Sequence, residues 1–213
     1  MEGQLADADT SPVLRGWRQD GLRTRIDRFL DEGLGAVLSD CSIDLDRLAF
    51  IYGDLTSSNI LFDPEANQLT TLLDFDFAFI SHPAHEFFIS LSDVGGNTSV
   101  SDSRITAAIL SGNFDVKLGT ELASGDKDAD NTVQLLSRAQ TWDAALRAAG
   151  GMRPSEIAGV VTLNKLRQLE GLLCPPFQLV HPVIVKRKTP EELEQGREKV
   201  AESLARELEH FGF

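Results

Sequence analysis

Apolar positions recur at two different periods along the chain, and the change of period marks out its organisation. From Pro12 to about Ser39, Leu14, Trp17, Leu22, Ile26, Phe29, Leu30, Leu34, Val37 and Leu38 follow one another mostly at helical spacings. That predicts one or two amphipathic helices, broken near Gly33 or Gly35. The polar residues 1–11 ahead of them read as a flexible tail. Three short apolar runs follow, Leu48–Ile51, Ile60–Phe62 and Leu69–Leu73. Asp63-Pro64-Glu65-Ala66-Asn67 is turn chemistry between the second and third, so those two predict a β-hairpin. Beyond His82-Pro83 the helical period returns. Residues 84–93 read as an apolar helix stopped by Gly95-Gly96-Asn97.

Residues 101–112 predict a short helix and 119–130 a loop; Thr132–Ala149 predicts a helix ended by Gly150-Gly151. A further helix starts at Pro154, carries Ile157, Val160, Leu166, Leu169 and Leu173, and ends at Cys174-Pro175-Pro176. Thr189-Pro190-Glu191-Glu192 is a capping box opening a last helix, whose buried stripe is Leu193, Val200, Leu204, Leu208 and Phe211. The fold class this predicts is α+β, mainly helical, with a small central β-hairpin.

Composition narrows the classes of function. At 213 residues, 42% hydrophobic and 25% charged, the chain has the material for one good core. A net charge of −13 argues against nucleic acid or an anionic membrane surface as partner, and is compatible with a cationic small substrate. Cys41 and Cys174 have no metal-ligand spacing and form no disulfide framework, which favours a reducing compartment. The acidic N-terminus is neither a signal nor a transit peptide, and no apolar run reaches the roughly 18 residues of a membrane helix. The expected location is cytoplasmic.

The block 48–90 carries the chemistry. Its first run delivers Tyr52-Gly53-Asp54, then Asn59; the third ends at Asp74-Phe75-Asp76. Phosphoryl transfer needs an acceptor hydroxyl positioned and deprotonated, and magnesium held against the phosphates. Asp54, on a tight loop after a strand, is placed to take the hydroxyl proton. Asn59 offers a neutral hard oxygen and Asp74 an anionic one, both suited to magnesium. Antiparallel strands return the chain to its starting end, so the hairpin should bring Asn59 and Asp74 together. Each fragment alone is cheap: D-x4-N is most often a loop aspartate with a turn asparagine, and D-F-D an acidic loop. Their joint order is the specific signal.

LAFIYGDLTSSNILFD followed by LLDFDFAFISHPAHEFF resembles the aminoglycoside phosphotransferase and choline kinase-like family, with its H-G-D-x4-N, I-D-F/W-E/D and P-x-x-D/E motifs. The later CPPF and RKTPEELE segments resemble fungal members. The resemblance spans roughly residues 12–213 and implies the C-terminal lobe of a protein kinase-like fold, using ATP and Mg2+ on a small-molecule hydroxyl. It makes Asp54 the catalytic base, with Asn59 beside it in the catalytic loop. Asn59 and Asp74 become the metal ligands. Tyr52, Asp76 and Glu86 become supporting residues, with Glu86 bracing the catalytic loop.

Two departures accompany it. Tyr52 stands where the family has histidine. Residues 1–53 contain no lysine and no G-x-G-x-x-G, so the nucleotide-covering N-terminal lobe is expected to be missing. This leaves open a non-catalytic module that binds partners, or a second copy, through an exposed lobe interface. A metal-dependent hydrolase built on Asp54, Asp74 and Asp76 is a third alternative. His82, His85 and Glu86 have a superficial ligand spacing but coincide with the P-x-x-E turn. Trp17 and Trp142 are expected in the core. Asp93, Asp102, Asp115 and Asp143 are candidates to favour a cationic acceptor, set against ordinary surface charge.

Overall fold

The computed structural model describes residues 1–91, 93–98, 102–115, 127–174 and 176–213, with backbone only at 127–130. In chain order its first elements are α1 (Glu2–Thr10), α2 (Leu22–Arg28), α3 (Leu34–Asp40) and β1 (Ala49–Ile51). The strands β2 (Ile60–Asp63), β3 (Gln68–Leu72) and β4 (Phe79–Ser81) come next, then α4 (Ala84–Ile89), α5 (Ser103–Ser111) and α6 (Lys127–Ala148). The chain closes with α7 (Val160–Leu173), α8 (Phe177–Val180), α9 (Pro182–Val185) and α10 (Pro190–His210). This is a mainly helical α+β chain. It divides into two compact units, Met1–Ser42 with Thr162–Phe213, and Ile43–Val161.

The first unit is helical around one apolar cluster. Leu5 and Ala8 from α1, Ile26 from α2, Phe29, Leu169 and Leu173 from α7, and Leu204 and Leu208 from α10 are all buried in it. Of residues 1–11, expected as a flexible tail, Glu2–Thr10 thus form a helix that contributes two core side chains. Their short apolar pattern was hidden among aspartates. The break expected near Gly33 is a single π-helical turn at Phe29–Gly33, so the chain stays helical from Leu22 to Asp40. Phe29 stacks there between the rings of Phe211 and Phe213, at 5.2 and 5.5 Å. The capping box of α10 forms as its sequence requires. Glu192 N–H donates to Thr189 Oγ1 at 3.2 Å, and Thr189 N–H to Glu192 Oε2 at 2.8 Å. Trp17 is fully buried, as expected.

In the second unit the strands make two separate antiparallel pairs. The expected hairpin is β2–β3, with Ile60 opposite Leu72 and Asp63 opposite Gln68. Its turn is fixed by Asp63 Oδ1, which accepts from the backbone N–H of Glu65 and Ala66 at 2.9 and 3.1 Å. β1 pairs with β4, Phe50 opposite Ile80. The short β4 run carries too little periodicity to be seen alone. Asp102 caps α5 by accepting the Arg104 N–H at 2.9 Å. Of the loop expected at 119–130, residues 119–126 lie outside the described residues, and Lys127 onward belongs to α6. Pro154 opens a 3-10 turn rather than α7. Gly159, at φ 71°, separates that turn from the helix. Trp142, at the partly buried face of α6, meets the Phe87 ring edge-on at 5.8 Å.

Leu204 sits at zero exposure among α1, α2, α7 and α10 residues. Leu204→Ala is therefore expected to cost about 2–5 kcal/mol. Thr189→Ala, which removes only one half of the cap, should cost about 1 kcal/mol. Urea unfolding of the two variants reads both, and equal losses would contradict this account of the core.

Candidate active site

β1 ends by delivering Tyr52 into the interior, where it is only 5% exposed. Immediately afterwards the chain turns at Gly53, whose φ of 84° favours glycine. Space requires glycine here as well. A Cβ on Gly53 would lie 2.5 Å from the carbonyl oxygen of Phe77. That close approach seats the 74–77 loop directly against the start of the 53–59 loop.

Asn59 then joins the two halves. Its side-chain amide donates to the Asp54 carboxylate (Oδ2) and to the Asp54 carbonyl, both at 2.9 Å. Its own carbonyl accepts the Leu73 N–H at 2.9 Å, one residue before Asp74. Asn59 has thereby spent its nitrogen on Asp54, which assigns its amide orientation and leaves Oδ1 as the side-chain acceptor. Asp74 is exposed and held at φ 56°, a left-handed conformation that aspartate tolerates better than most residues. Its Oδ1 accepts the Asp76 N–H at 3.3 Å, so Asp76 contributes its main chain to shaping the turn.

Glu86 lies in the first turn of α4 and accepts the Tyr52 N–H on Oε2 at 2.7 Å. Two further side chains repeat the pattern. Ser90 Oγ accepts the Leu55 N–H at 2.6 Å, and Asp93 Oδ2 accepts the Ser57 N–H at 2.8 Å. Leu91 N–H returns a bond to the Leu55 carbonyl at 2.9 Å. Residues 52, 55 and 57 are thus held by residues 86, 90 and 93. The sequence signalled Glu86 in this bracing role and Asp93 only as a candidate to favour a cationic acceptor; Ser90 and Ser57 stand in serine-rich runs with nothing to distinguish them.

Electrostatics shows the same convergence. Burial first, then the nearby carboxylates of Asp74, Asp54 and Glu86, push the Tyr52 phenol above its ordinary value. The Tyr52 hydroxyl is buried without a hydrogen-bond partner, as is Glu86 Oε1. An unspent amide oxygen on Asn59, an exposed carboxylate on Asp74 and an orphaned hydroxyl near both carboxylates fit a small hard cation and its water.

The histidines do other work. Ala84 N–H donates to His82 Nδ1 at 3.2 Å, and Ser81 Oγ and His85 Nδ1 are 2.5 Å apart. Burial, Arg47 and His85 hold His82 below its usual value, which keeps it a neutral acceptor. Among the described residues no group of three or more histidine, cysteine or acidic side chains could hold a metal. Three of the four acids named as candidates for a cationic acceptor are occupied within the chain. Asp93 is held by Ser57, Asp102 by Arg104 and Asp143 by Arg147 and Arg153.

The chain has one tyrosine, so its ionisation is directly readable by ultraviolet absorbance. Tyr52 should titrate above the ordinary tyrosine range, and Asp74→Asn should bring the midpoint down. Since the folded value lies above the unfolded one, this contribution to stability is complete below about pH 10 and declines as pH rises further. A midpoint indifferent to Asp74 would contradict the placement.

No curated protein and no solved structure matches the chain. A family model described as the phosphotransferase enzyme family (APH) matches residues 3–109, half of the sequence and the whole of the loop cluster built around Asp54, Asn59 and Asp74. On that match the chain belongs to the phosphotransferase enzyme family.

Proposed function

We propose that the chain is the catalytic lobe of an ATP- and Mg2+-dependent phosphotransferase acting on a small-molecule hydroxyl, in the manner of the C-terminal lobe of a kinase-like enzyme. The observation that carries this reading is the pair of hydrogen bonds from the Asn59 amide to Asp54, with Asp74 following the residue hydrogen-bonded to the Asn59 carbonyl. It supports reading Asp54 as a base with Asn59 and Asp74 as hard-oxygen donors, the minimum the reaction asks of a protein.

In this mechanism Asp54 takes the proton of the acceptor hydroxyl. The acceptor oxygen bonds to the γ-phosphorus, and the bond to the bridging oxygen breaks, with ADP leaving on that electron pair. The Asn59 amide fixes the rotation of the Asp54 carboxylate through Oδ2, and the incoming proton is assigned to Oδ1. Asn59 Oδ1 and the Asp74 carboxylate would hold Mg2+, which when bound neutralises charge building on the phosphates. Glu86 keeps Tyr52, and so the start of the loop, in place. Tyr52 offers a neutral hydroxyl where the family has histidine, and Asp76 shapes the Asp74 turn. The acceptor's own chemistry is left to residues beyond this cluster, since the nearby acids are already paired. A cytoplasmic enzyme is the setting we infer, and no helix among the described residues is long and apolar enough to cross a membrane.

A second reading is favoured by a different observation. Leu48, Phe50, Phe62, Leu69, Phe77 and Ile80 are exposed, Phe50 by 60% and Leu69 by 65%. Apolar side chains so concentrated within one segment suit a binding or scaffold module that associates with a second copy or a partner chain.

Calorimetric titration separates the two. The enzyme reading expects saturable binding of Mg2+, and of Mg-ATP, by the wild-type chain, weakened at least about tenfold in Asp74→Ala. Asp54→Asn should keep that binding while lowering turnover about 10²–10⁴-fold. A folded protein that ignores metal yet sediments as a dimer would support the scaffold instead.

A further inference from the structure

Between Asp54 and Asn59 the only regular structure is a single 3-10 turn, Ser57–Asn59, closed by Asn59 N–H on the Thr56 carbonyl at 3.1 Å. So short a turn does not hold its own position. Yet the Asn59 amide can clamp Asp54 only if the turn starts at the right place, and the turn starts at Ser57.

Ser57 gives both of its donors to one oxygen. Its N–H reaches Asp93 Oδ2 at 2.8 Å, and its hydroxyl makes a short bond to the same atom. The other oxygen, Asp93 Oδ1, is buried without a partner. A carboxylate that leaves one oxygen unsatisfied while serving one residue twice is held in place by something other than its own hydrogen bonds. The surrounding turn supplies that support. Arg138 Nη1, on α6, donates to the Asp93 carbonyl at 3.0 Å. Gly95, at φ 105°, lets the turn press on α6 so closely that a Cβ there would meet the Arg138 carbonyl at 2.9 Å. Leu91, at φ 66°, bends the chain out of α4 into the turn and returns its N–H to Leu55. The bonds from Ser57, helped by Arg138, hold the Asp93 carboxyl below the usual carboxylate range, so it stays an acceptor near neutral pH.

We propose that Asp93 is a positioning residue that sets the 57–59 turn through Ser57, and so aims the Asn59 amide at Asp54 and its oxygen toward the metal. The role rests on the phosphotransferase reading. It differs from that of Glu86, which holds the start of the loop at Tyr52, whereas Asp93 holds its far end and ties it to α6 through Arg138.

The experiment combines amide hydrogen exchange with Mn2+ titration on the full chain and its Asp93→Ala, Ser57→Ala and Ser57→Thr variants. Asp93→Ala should speed exchange at Ser57 and Asn59 while Tyr52 stays protected. Its Mn2+ affinity should fall about 10–100-fold, as for other residues that orient metal ligands. Ser57→Ala, which loses one of the two bonds, should fall between Asp93→Ala and wild type, and Ser57→Thr, which keeps the hydroxyl, should stay near wild type. Unchanged exchange at Ser57 in Asp93→Ala overturns the proposal. So does released exchange with unchanged Mn2+ affinity, which would make Asp93 only structural. A wild-type chain that binds no Mn2+ overturns the phosphotransferase reading and the role with it, and exchange at Ser57 tells that failure from the loss of the clasp alone. Should Asp93→Ala fail to fold by circular dichroism, Ser57→Ala decides: wild-type exchange at Asn59 together with wild-type Mn2+ affinity overturns the proposal.

Discussion

The second unit depends on satisfying the backbone of one loop from outside it. Residues 52–57 run from the buried Tyr52 out to the exposed Ser57, and no helix or sheet bond receives the N–H groups of Tyr52, Leu55 and Ser57. Three such donors find side-chain acceptors on α4 and the turn after it, namely Glu86, Ser90 and Asp93. Leaving a buried donor unmet costs about 1–3 kcal/mol, which bears on the partly buried bonds of Tyr52 and Leu55. The Ser57 bond lies at the exposed end of the loop, and together the three acceptors set where the loop lies. Everything chemical follows from that placement. Asp54 and Asn59 are on the loop, and Asp74 is tied to it through Leu73 and Asn59. The arrangement also explains why α4 is short. Its last residues must leave helical geometry to bring Ser90 and Asp93 down onto the loop, and the left-handed Leu91 is where that happens.

A second constraint is steric. Gly53 admits the Phe77 carbonyl at a distance that no other residue would permit, and so fixes the gap between the loop bearing Asp54 and the loop bearing Asp74. The tyrosine between them is buried, and its hydroxyl is unpaired. Edge-on packing of Phe75 against Tyr52, with ring centres 5.0 Å apart, closes the same corner. Few residues define the site, and most of them act through main-chain geometry. On the proposed phosphotransferase reading, that suits a reaction dominated by positioning and electrostatics.

How much of this could be read in advance depended on whether each feature has a local signature. The β2–β3 hairpin was legible because Asp63-Pro64 and Asn67 are turn residues between apolar runs. The α10 cap was legible because Thr189 and Glu192 act within one turn. The proximity of Asn59 to Asp74 followed from antiparallel pairing alone. Features set by distant partners were not legible. Leu5 and Ala8 look like residues of an acidic tail until α7 and α10 supply a core for them. β4 is a strand only because β1 is there to pair with it. Asp93 reads as a surface charge because nothing in its neighbourhood announces Ser57, 36 residues earlier. Gly95-Gly96, read as a simple helix stop, is a packing site. A Cβ on Gly96 would strike the Trp142 indole at 2.5 Å.

The central claim is that Asn59 and Asp74 share one cation beside Asp54. Anomalous scattering from crystals of the chain grown or soaked with Mn2+ tests it most directly. The account predicts a peak ligated by Asn59 Oδ1 and the Asp74 carboxylate, absent in Asp74→Ala. A peak elsewhere on the molecule, or none at saturating Mn2+ with the loop unobstructed, would contradict it.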